Sequence, residues 1–292
     1  MALRITNVAE SDIPRVKDFL GKHSDTSLFL LSNLVSYGHK LSDAMNSGNF
    51  KYLGEGDDIH GVFCLTRRGN LLAECGGRTE FAPAIIDASR DEPVQIRGVV
   101  GEWNLADAIW TILIDSGAIE EVVHASREPL YRLNLEGVEQ PRRDALVRPL
   151  QSSDFDTWEP LNSAYLKEEG LPIQGSLEQR RRDFAAAAEA GRWWGLWEKG
   201  ALVAMGALNA IHDGVGQIGG VYTRPEERRR GCASRVMRSL ISDCMALLGI
   251  CRLILFTGEN NRAAQGLYES IGFCRVGEFA LLFGEPRKSR LS

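Results

Sequence analysis

Residues 222 to 235 read "YTRPEERRRGCASR", and within them arginines crowd a single glycine. Guanidinium groups bind phosphates and carboxylates through paired N–H donors. A glycine among them lets a ligand come close to the backbone. The stretch follows "VGQIGGVYT", a predicted strand. It leads into residues 231–247, where Ala233, Val236, Met237, Leu240, Ile241, Cys244 and Leu247 recur at helical spacing. The first turn of a helix has unpaired N–H groups and a partial positive charge. Gly231 and Ala233 keep that turn clear of bulk, and Arg228 and Arg230 add charge. Strand, loop and helix together suit a phosphate or pyrophosphate. The loop is no P-loop, because it has no G-x-x-x-x-G-K-[ST]. Two other readings stand beside this one: a solvated basic turn opening a surface helix, and a nucleic-acid contact. Against the last, Glu226 and Glu227 dilute the charge, and no aromatic platform adjoins for stacking bases.

The whole chain narrows these choices. It has 292 residues, enough for two domains. Its net charge is −5, so any positive patch is local and general nucleic-acid binding is not expected. No apolar run is long enough for a membrane span, and "MALRITNVAESDIPRV" has no signal-peptide pattern. Cys64, Cys75, Cys232, Cys244, Cys251 and Cys274 show no C-x-x-C spacing, and several lie in apolar segments. They read as reduced, mostly buried side chains of a cytoplasmic protein. The histidines are scattered without H-E-x-x-H, so no metal site is expected.

The elements that must position the loop follow from the pattern. "LEGVEQPRRDALVRPLQ" is polar and carries Pro141, which predicts a boundary near Asp144 and domains 1–143 and 144–292. Both halves open alike, as "LRITNVAESDIPRVKDFL" and "ALVRPLQSSDFDTWEPLN": a short strand, then Ser-Asp ahead of a helical stripe, where a side-chain oxygen can cap N–H groups. In the first half, "HGVFCLTRRGNLLAECG" predicts a hairpin turning at Arg68-Gly69-Asn70. "PVQIRGVVGEWNLADAIWTILIDSG" predicts a strand, a turn at Gly101 and a helix, and "REPLYRLNLEG" a late strand. In the second half, "FDTWEPLNSAYLKEEG" and "LEQRRRDFAAAAEAG" predict helices ended by glycine. A hairpin turns at Lys199-Gly200. "CRLILFTG" is a buried strand, "NRAAQGLYESIG" a helix, and "FCRVGEFALLFG" closes with one or two strands. The order predicts an α/β fold with a mixed sheet.

At this point the residues resemble a known family. Arg228-x-x-Gly231-x-Ala233 is similar to the Q/R-x-x-G-x-G/A signature of the GCN5-related N-acetyltransferases (GNAT). "NRAAQGLYESIGF" resembles that family's later segment, through Asn261, Ala264, Leu267, Tyr268, Gly272 and Phe273. The strand "RLILFTG" lies between them, as in the family. The resemblance covers about residues 146–285. It implies the GNAT fold, a mixed and mostly antiparallel sheet flanked by helices. The first half looks like a second, degenerate copy. Its equivalent stretch, "RGVVGEWNLADAIW", lacks the arginines, and Trp103 and Asp107 are poor neighbours for a pyrophosphate. "LFLLSNLVSYG" and the tandem layout resemble bacterial predicted acetyltransferases with a degenerate first domain, and the first domain here is expected to shape the substrate cleft without binding CoA.

The resemblance also implies a reaction: attack of a primary amine, on a small molecule or a peptide, upon the thioester of acetyl-CoA as cosubstrate. It places Val221, Tyr222, Thr223, Arg228, Arg229, Arg230, Gly231, Cys232, Ala233, Ser234, Asn261, Ala264 and Tyr268 around acetyl-CoA. A backbone N–H at Val221 or Tyr222 polarises the carbonyl, and Tyr268 protonates the leaving sulfur. Many relatives carry a glutamate base about fourteen residues before the signature glycine. Here that position is Gln217, which cannot take a proton. His212 and Glu259 are the nearby candidates, and a water chain or a neutral amine is the alternative. Glu168 and Glu169 suit either an ammonium group or a solvated helix end. A non-catalytic acyl-CoA-binding module and an aminoacyl transferase remain as other functions. "EQRRRDF" (178–184) reads as the solvated face of a helix. The acceptor and the oligomeric state are not legible.

Overall fold

The computed structural model describes residues 4–56, 58–173 and 175–287. The chain forms two compact units: Met1–Leu130 with Val276–Ser292, and Tyr131–Arg275.

The first unit runs β1 (Arg4–Asn7), α1 (Ile13–Lys22), α2 (Ser24–Tyr37), β2 (Gly48–Glu55), β3 (Asp58–Thr66), β4 (Asn70–Glu74), α3 (Ala82–Arg90), β5 (Gly98–Glu102), α4 (Trp103–Asp115) and most of β6 (Ile119–Asn134). Strands β1 to β4 pair antiparallel in sequence, and β4 pairs parallel with β5. The predicted hairpin over Arg68–Asn70 is β3–β4. Phe63, Leu65, Leu71 and Val99 bury against Ile85, Ile109 and Leu113 of α3 and α4. The expected turn at Gly101 is absent: β5 continues to Glu102, whose carboxylate accepts from the N–H groups of Asn104 at 3.0 Å and Leu105 at 3.1 Å. A side-chain cap replaces the turn.

The second unit runs β7 (Val147–Pro149), α5 (Phe155–Glu168), α6 (Leu177–Glu189), β8 (Trp193–Glu198), β9 (Ala201–His212), β10 (Val215–Thr223), α7 (Cys232–Leu247), β11 (Arg252–Phe256) and α8 (Arg262–Ile271). The last strand, β12 (Cys274–Pro286), then pairs antiparallel with β5, so the C-terminal strand completes the first unit's sheet. In the second unit β7 to β10 pair antiparallel and β10 pairs parallel with β11. Helices cover both faces. Leu202, Met205 and Tyr222 meet Phe155, Trp158 and Phe184 of α5 and α6. Ala204, Leu208, Ile218, Leu253 and Leu255 meet Val236, Met237, Leu240 and Tyr268 of α7 and α8. Two-sided burial is why β9 reads as an almost unbroken apolar run.

The polar stretch before β7 is no free linker. Gln140 Nε2 donates to Ser242 Oγ at 2.9 Å, and the Asp144 N–H donates to Ser239 Oγ at 3.0 Å. Arg143 pairs with Asp243 at 2.9 Å, and Asp243 also accepts from Trp194 Nε1 at 2.8 Å. These bonds fasten the stretch to α7. The compact units accordingly divide at 130/131 and 275/276, where the sequence reading had one break near Asp144.

The two Ser-Asp openings act alike, though not as helix caps. Asp12 accepts from the Ala9 N–H at 2.9 Å and Asp154 from the Gln151 N–H at 2.8 Å, each closing a 3-10 turn before the helix. The "EQRRRDF" arginines are engaged within the chain: Arg180 pairs with Glu159, Arg181 with Asp156, and Arg182 with Glu178. Cys64, Cys75, Cys232 and Cys244 are buried thiols, while Cys251 and Cys274 are exposed. Burial pushes the Cys75 and Cys244 thiols up to about 12. Among the described residues no helix is long and apolar enough to cross a membrane.

Candidate active site

Parallel strands β10 and β11 define the site. They pair only from Val215–Gln217 to Arg252–Ile254, then part. Beyond that fork β10 runs on to Thr223 with a bulge. Gly219 faces Ala207 and Tyr222 faces Met205, so Gly220 and Val221 together oppose Gly206. A bulge takes a residue out of the ladder and frees its backbone groups. Gly220 makes this bulge possible. Its φ is +60°, and a Cβ there would stand 2.9 Å from the Trp193 ring. Gly220→Val is therefore expected to destabilise the chain by about 2 kcal/mol through strain and crowding, read in urea melts. Wild-type stability would show that the bulge relaxes freely.

Above the fork lies the arginine loop. A 3-10 turn over Pro225–Glu227 leads to Arg229 at φ +62° and Gly231 at φ +74°, and α7 starts at Cys232. Among the described residues no side chain caps α7, and an added Cβ at Gly231 would meet nothing within 4 Å. The first-turn N–H groups of Cys232, Ala233 and Ser234 therefore lie behind open space. Cys232 is buried, with Sγ 3.5 Å from the Glu227 carbonyl, so it faces inward under the loop. Ala233 and Ser234 are half-buried at the helix start.

The loop arginines are balanced by carboxylates that the sequence alone did not pair with them. Arg228 binds Glu168 at 2.6 Å and lies over the Tyr222 ring; Glu168 also accepts from the Tyr222 hydroxyl at 2.9 Å. Arg230 binds Glu198 at 2.9 Å and also Glu227, while Arg235 joins Glu198 at 2.5 Å to Asp144 at 2.7 Å. Arg229 is exposed. The Arg228 hydrogen bond holds the Glu168 carboxyl below its usual range. Such a group adds stability above its unfolded pKa, and that stability is lost as pH falls through the folded value. Both partners are well exposed, so Glu168→Gln is expected to cost less than about 1 kcal/mol at pH 7. The difference should disappear in acid melts, and one that persists there would place the effect in packing.

The remaining expected site residues fall on both sides of this arrangement. Asn261 caps α8, with Oδ1 accepting from the Ala264 N–H at 3.1 Å. It stands on the loop after β11, at the same end of the parallel pair as the arginine loop. Tyr268 is 6% exposed, packed against Tyr131 and Phe273. Val221 packs toward α7 and α8, and Tyr222 toward α5 and α6. Thr223 follows them, and its carbonyl accepts from Arg228 Nε at 3.2 Å. Gln217 sits at the fork and is 1% exposed; its Nε2 donates to the Ile218 carbonyl at 2.6 Å, and its Oε1 has no hydrogen-bond partner among the described residues. His212 faces Val215 at the opposite end of β10. Val215 lies seven residues before Tyr222, roughly 23 Å along the strand, so His212 opposite it is too far away to act at the bulge. Glu259 is exposed on the loop after β11.

Comparison with known proteins agrees with this geometry. Residues 155–273 match the acetyltransferase (GNAT) family. An uncharacterized N-acetyltransferase of Bacillus subtilis, YobR, is 26% identical over 144 residues, covering 46% of this chain. The chain spans only 58% of the length of YobR. A GCN5-related N-acetyltransferase from Sphaerobacter thermophilus has a TM-score of 0.60 at 13% identity, covering 96% of this chain and 94% of that one. A tandem GNAT protein from the clavulanic acid biosynthesis pathway has a TM-score of 0.54 at 12% identity, covering 99% and 100%. At these identities the two structures speak for the fold. The segment that matches the acetyltransferase (GNAT) family, residues 155–273, holds the bulged strand, the arginine loop and α8.

Proposed function

We propose that the second unit is an acetyl-CoA-dependent N-acetyltransferase acting on a primary amine. The observation that carries this reading is the uncapped start of α7, set behind Gly231 and arginines at the fork of β10 and β11. The residues fit the cosubstrate: open space at Gly231 admits a pyrophosphate, and the first-turn N–H groups with Arg228, Arg229 and Arg230 match its charge. The parted strands offer backbone groups to the amides of a pantetheine arm. Bound acetyl-CoA supplies an activated thioester. Val221 or Tyr222 directs a backbone N–H toward the thioester oxygen. Tyr268 holds a proton for the departing sulfur, and Asn261 fixes the start of α8 beside the CoA arm.

The first unit is read as a degenerate copy that does not bind acetyl-CoA. At the corresponding point its helix α4 is capped by the Glu102 carboxylate. An anion there meets a negative charge instead of free N–H groups. The matching Asp12 and Asp154 turns support the duplication.

A non-catalytic acyl-CoA-binding module is the second reading, favoured by Gln217, whose amide is sealed in the strand where a base was expected. Calorimetry with acetyl-CoA and thiol release across a panel of primary amines separate the readings. Binding with amine-dependent thiol release is the expected result. Binding with silence across the panel would favour the module, and absence of binding would remove both.

A further inference from the structure

One face of β10, at Tyr222, packs against α5 and α6. Helix α5 ends in two adjacent carboxylates, Glu168 and Glu169. The Tyr222 hydroxyl reaches Glu168, so this helix end lies one tyrosine side chain away from the bulge. Tyr165 packs edge-on against Tyr222 at 5.9 Å and adds an aromatic wall. Tyr222 points toward α5 and α6 while Val221 points toward α7 and α8. The α5 end therefore flanks the bulge on the face opposite the arginine loop's helix.

The two carboxylates differ in their surroundings. Glu168 is committed to Arg228 and Tyr222. Glu169 is half-buried, and among the described residues its carboxylate has no hydrogen bond or ion pair. Paired carboxylates held in unlike environments divide the roles of ion and proton acceptor.

We propose that Glu169 is the general base of this acetyltransferase and that the acceptor arrives as a protonated primary amine, drawn in by Glu168 and Glu169. This rests on the transferase reading above. The ammonium gives one proton to the Glu169 carboxylate. The freed nitrogen bonds the thioester carbonyl carbon, and the C–S bond breaks. The sulfur gains a proton from Tyr268, and the nitrogen's second proton passes by way of water to the Tyr268 phenolate so formed, leaving an amide, a thiol and a neutral tyrosine. Electrostatics agree in direction. Burial, then the neighbouring Glu168 charge, raise the Glu169 pKa, and Arg228 offsets part of this. The charged and titratable groups facing Glu169 are Glu168 on its own helix and Arg228 from the loop, with the Tyr222 hydroxyl beside them on Glu168.

The test uses the full chain, acetyl-CoA and two probes at pH 7. Cadaverine is protonated at both nitrogens, and hydroxylamine is largely neutral. E169Q is expected to lower kcat/KM for cadaverine by about 100-fold and for hydroxylamine by less than about 3-fold. Its cadaverine rate should recover as pH rises and the amine loses its own proton. Ionising a carboxyl with a raised folded pKa costs stability as pH rises through that pKa, so E169Q should melt no lower than wild type at pH 7. Equal losses with both probes, or none with either, overturn Glu169 as base while leaving acetyl transfer standing. No transfer by the wild type to either probe, with acetyl-CoA bound, overturns the transferase reading and the base together. Failure to bind acetyl-CoA overturns the cofactor loop instead.

Discussion

Replacing Arg230 by glutamate is expected to weaken acetyl-CoA binding about 100-fold, or ~2.7 kcal/mol, measured by calorimetry. Arg230 contacts Glu198 and Glu227 from a half-exposed position at the mouth of the loop. A pyrophosphate at the start of α7 competes with those carboxylates for the guanidinium. Charge reversal removes a charge-assisted donor, worth about 1.5–3 kcal/mol by itself, and places a third carboxylate beside Glu198 and Glu227. Arg235, already shared between Glu198 and Asp144, cannot neutralise all three. The loss should shrink in high salt, because these groups are solvated. Exposed ion pairs contribute little to folding, so the melting temperature should change little. Unchanged affinity would show that the loop does not hold the cosubstrate.

Tyr268→Phe is expected to lower kcat about 100-fold while acetyl-CoA affinity stays within about 3-fold, since a positioned general acid contributes roughly 10²–10⁴ in rate. Phenylalanine keeps the ring in its cluster with Tyr131 and Phe273, and such a volume-conserving change costs less than about 1.5 kcal/mol. Single-turnover thiol release measures the step directly. Tyr131→Phe is the control. Its hydroxyl already donates to Glu269 at 3.1 Å, and burial, then that hydrogen bond, raises its pKa. It should lose little activity. An unchanged kcat in Tyr268→Phe would remove Tyr268 as the acid.

Much of this protein is legible in local sequence because the signals are local. The helical stripe from Val236 to Cys244, the Lys199-Gly200 turn with both residues at positive φ, and Asn261 ahead of α8 all act within a few residues. Gly231 is legible for the same reason, since a left-handed residue before an uncapped helix is a backbone property. The α/β class and the loop's suitability for an anion follow from these elements.

Tertiary structure decided what depends on distant partners. Whether the loop arginines stand free or are balanced depends on Glu168 and Glu198, which are separated from Arg228 and Arg230 by 60 and 32 positions. The stretch before β7 reads as a linker because it is polar, yet its polar groups bind α7 about a hundred residues onward. The C-terminal strand joins β5, and no local pattern encodes a pairing across so long a separation. His212 is close to Gln217 in sequence, but a strand spends roughly 3.3 Å per residue, which carries it away from the bulge. Glu168 and Glu169 look identical as neighbouring letters. Packing gave one an arginine and a tyrosine and left the other half-buried with no hydrogen bond or ion pair of its carboxylate among the described residues, and that difference in solvation and charge separates an ion from a proton acceptor.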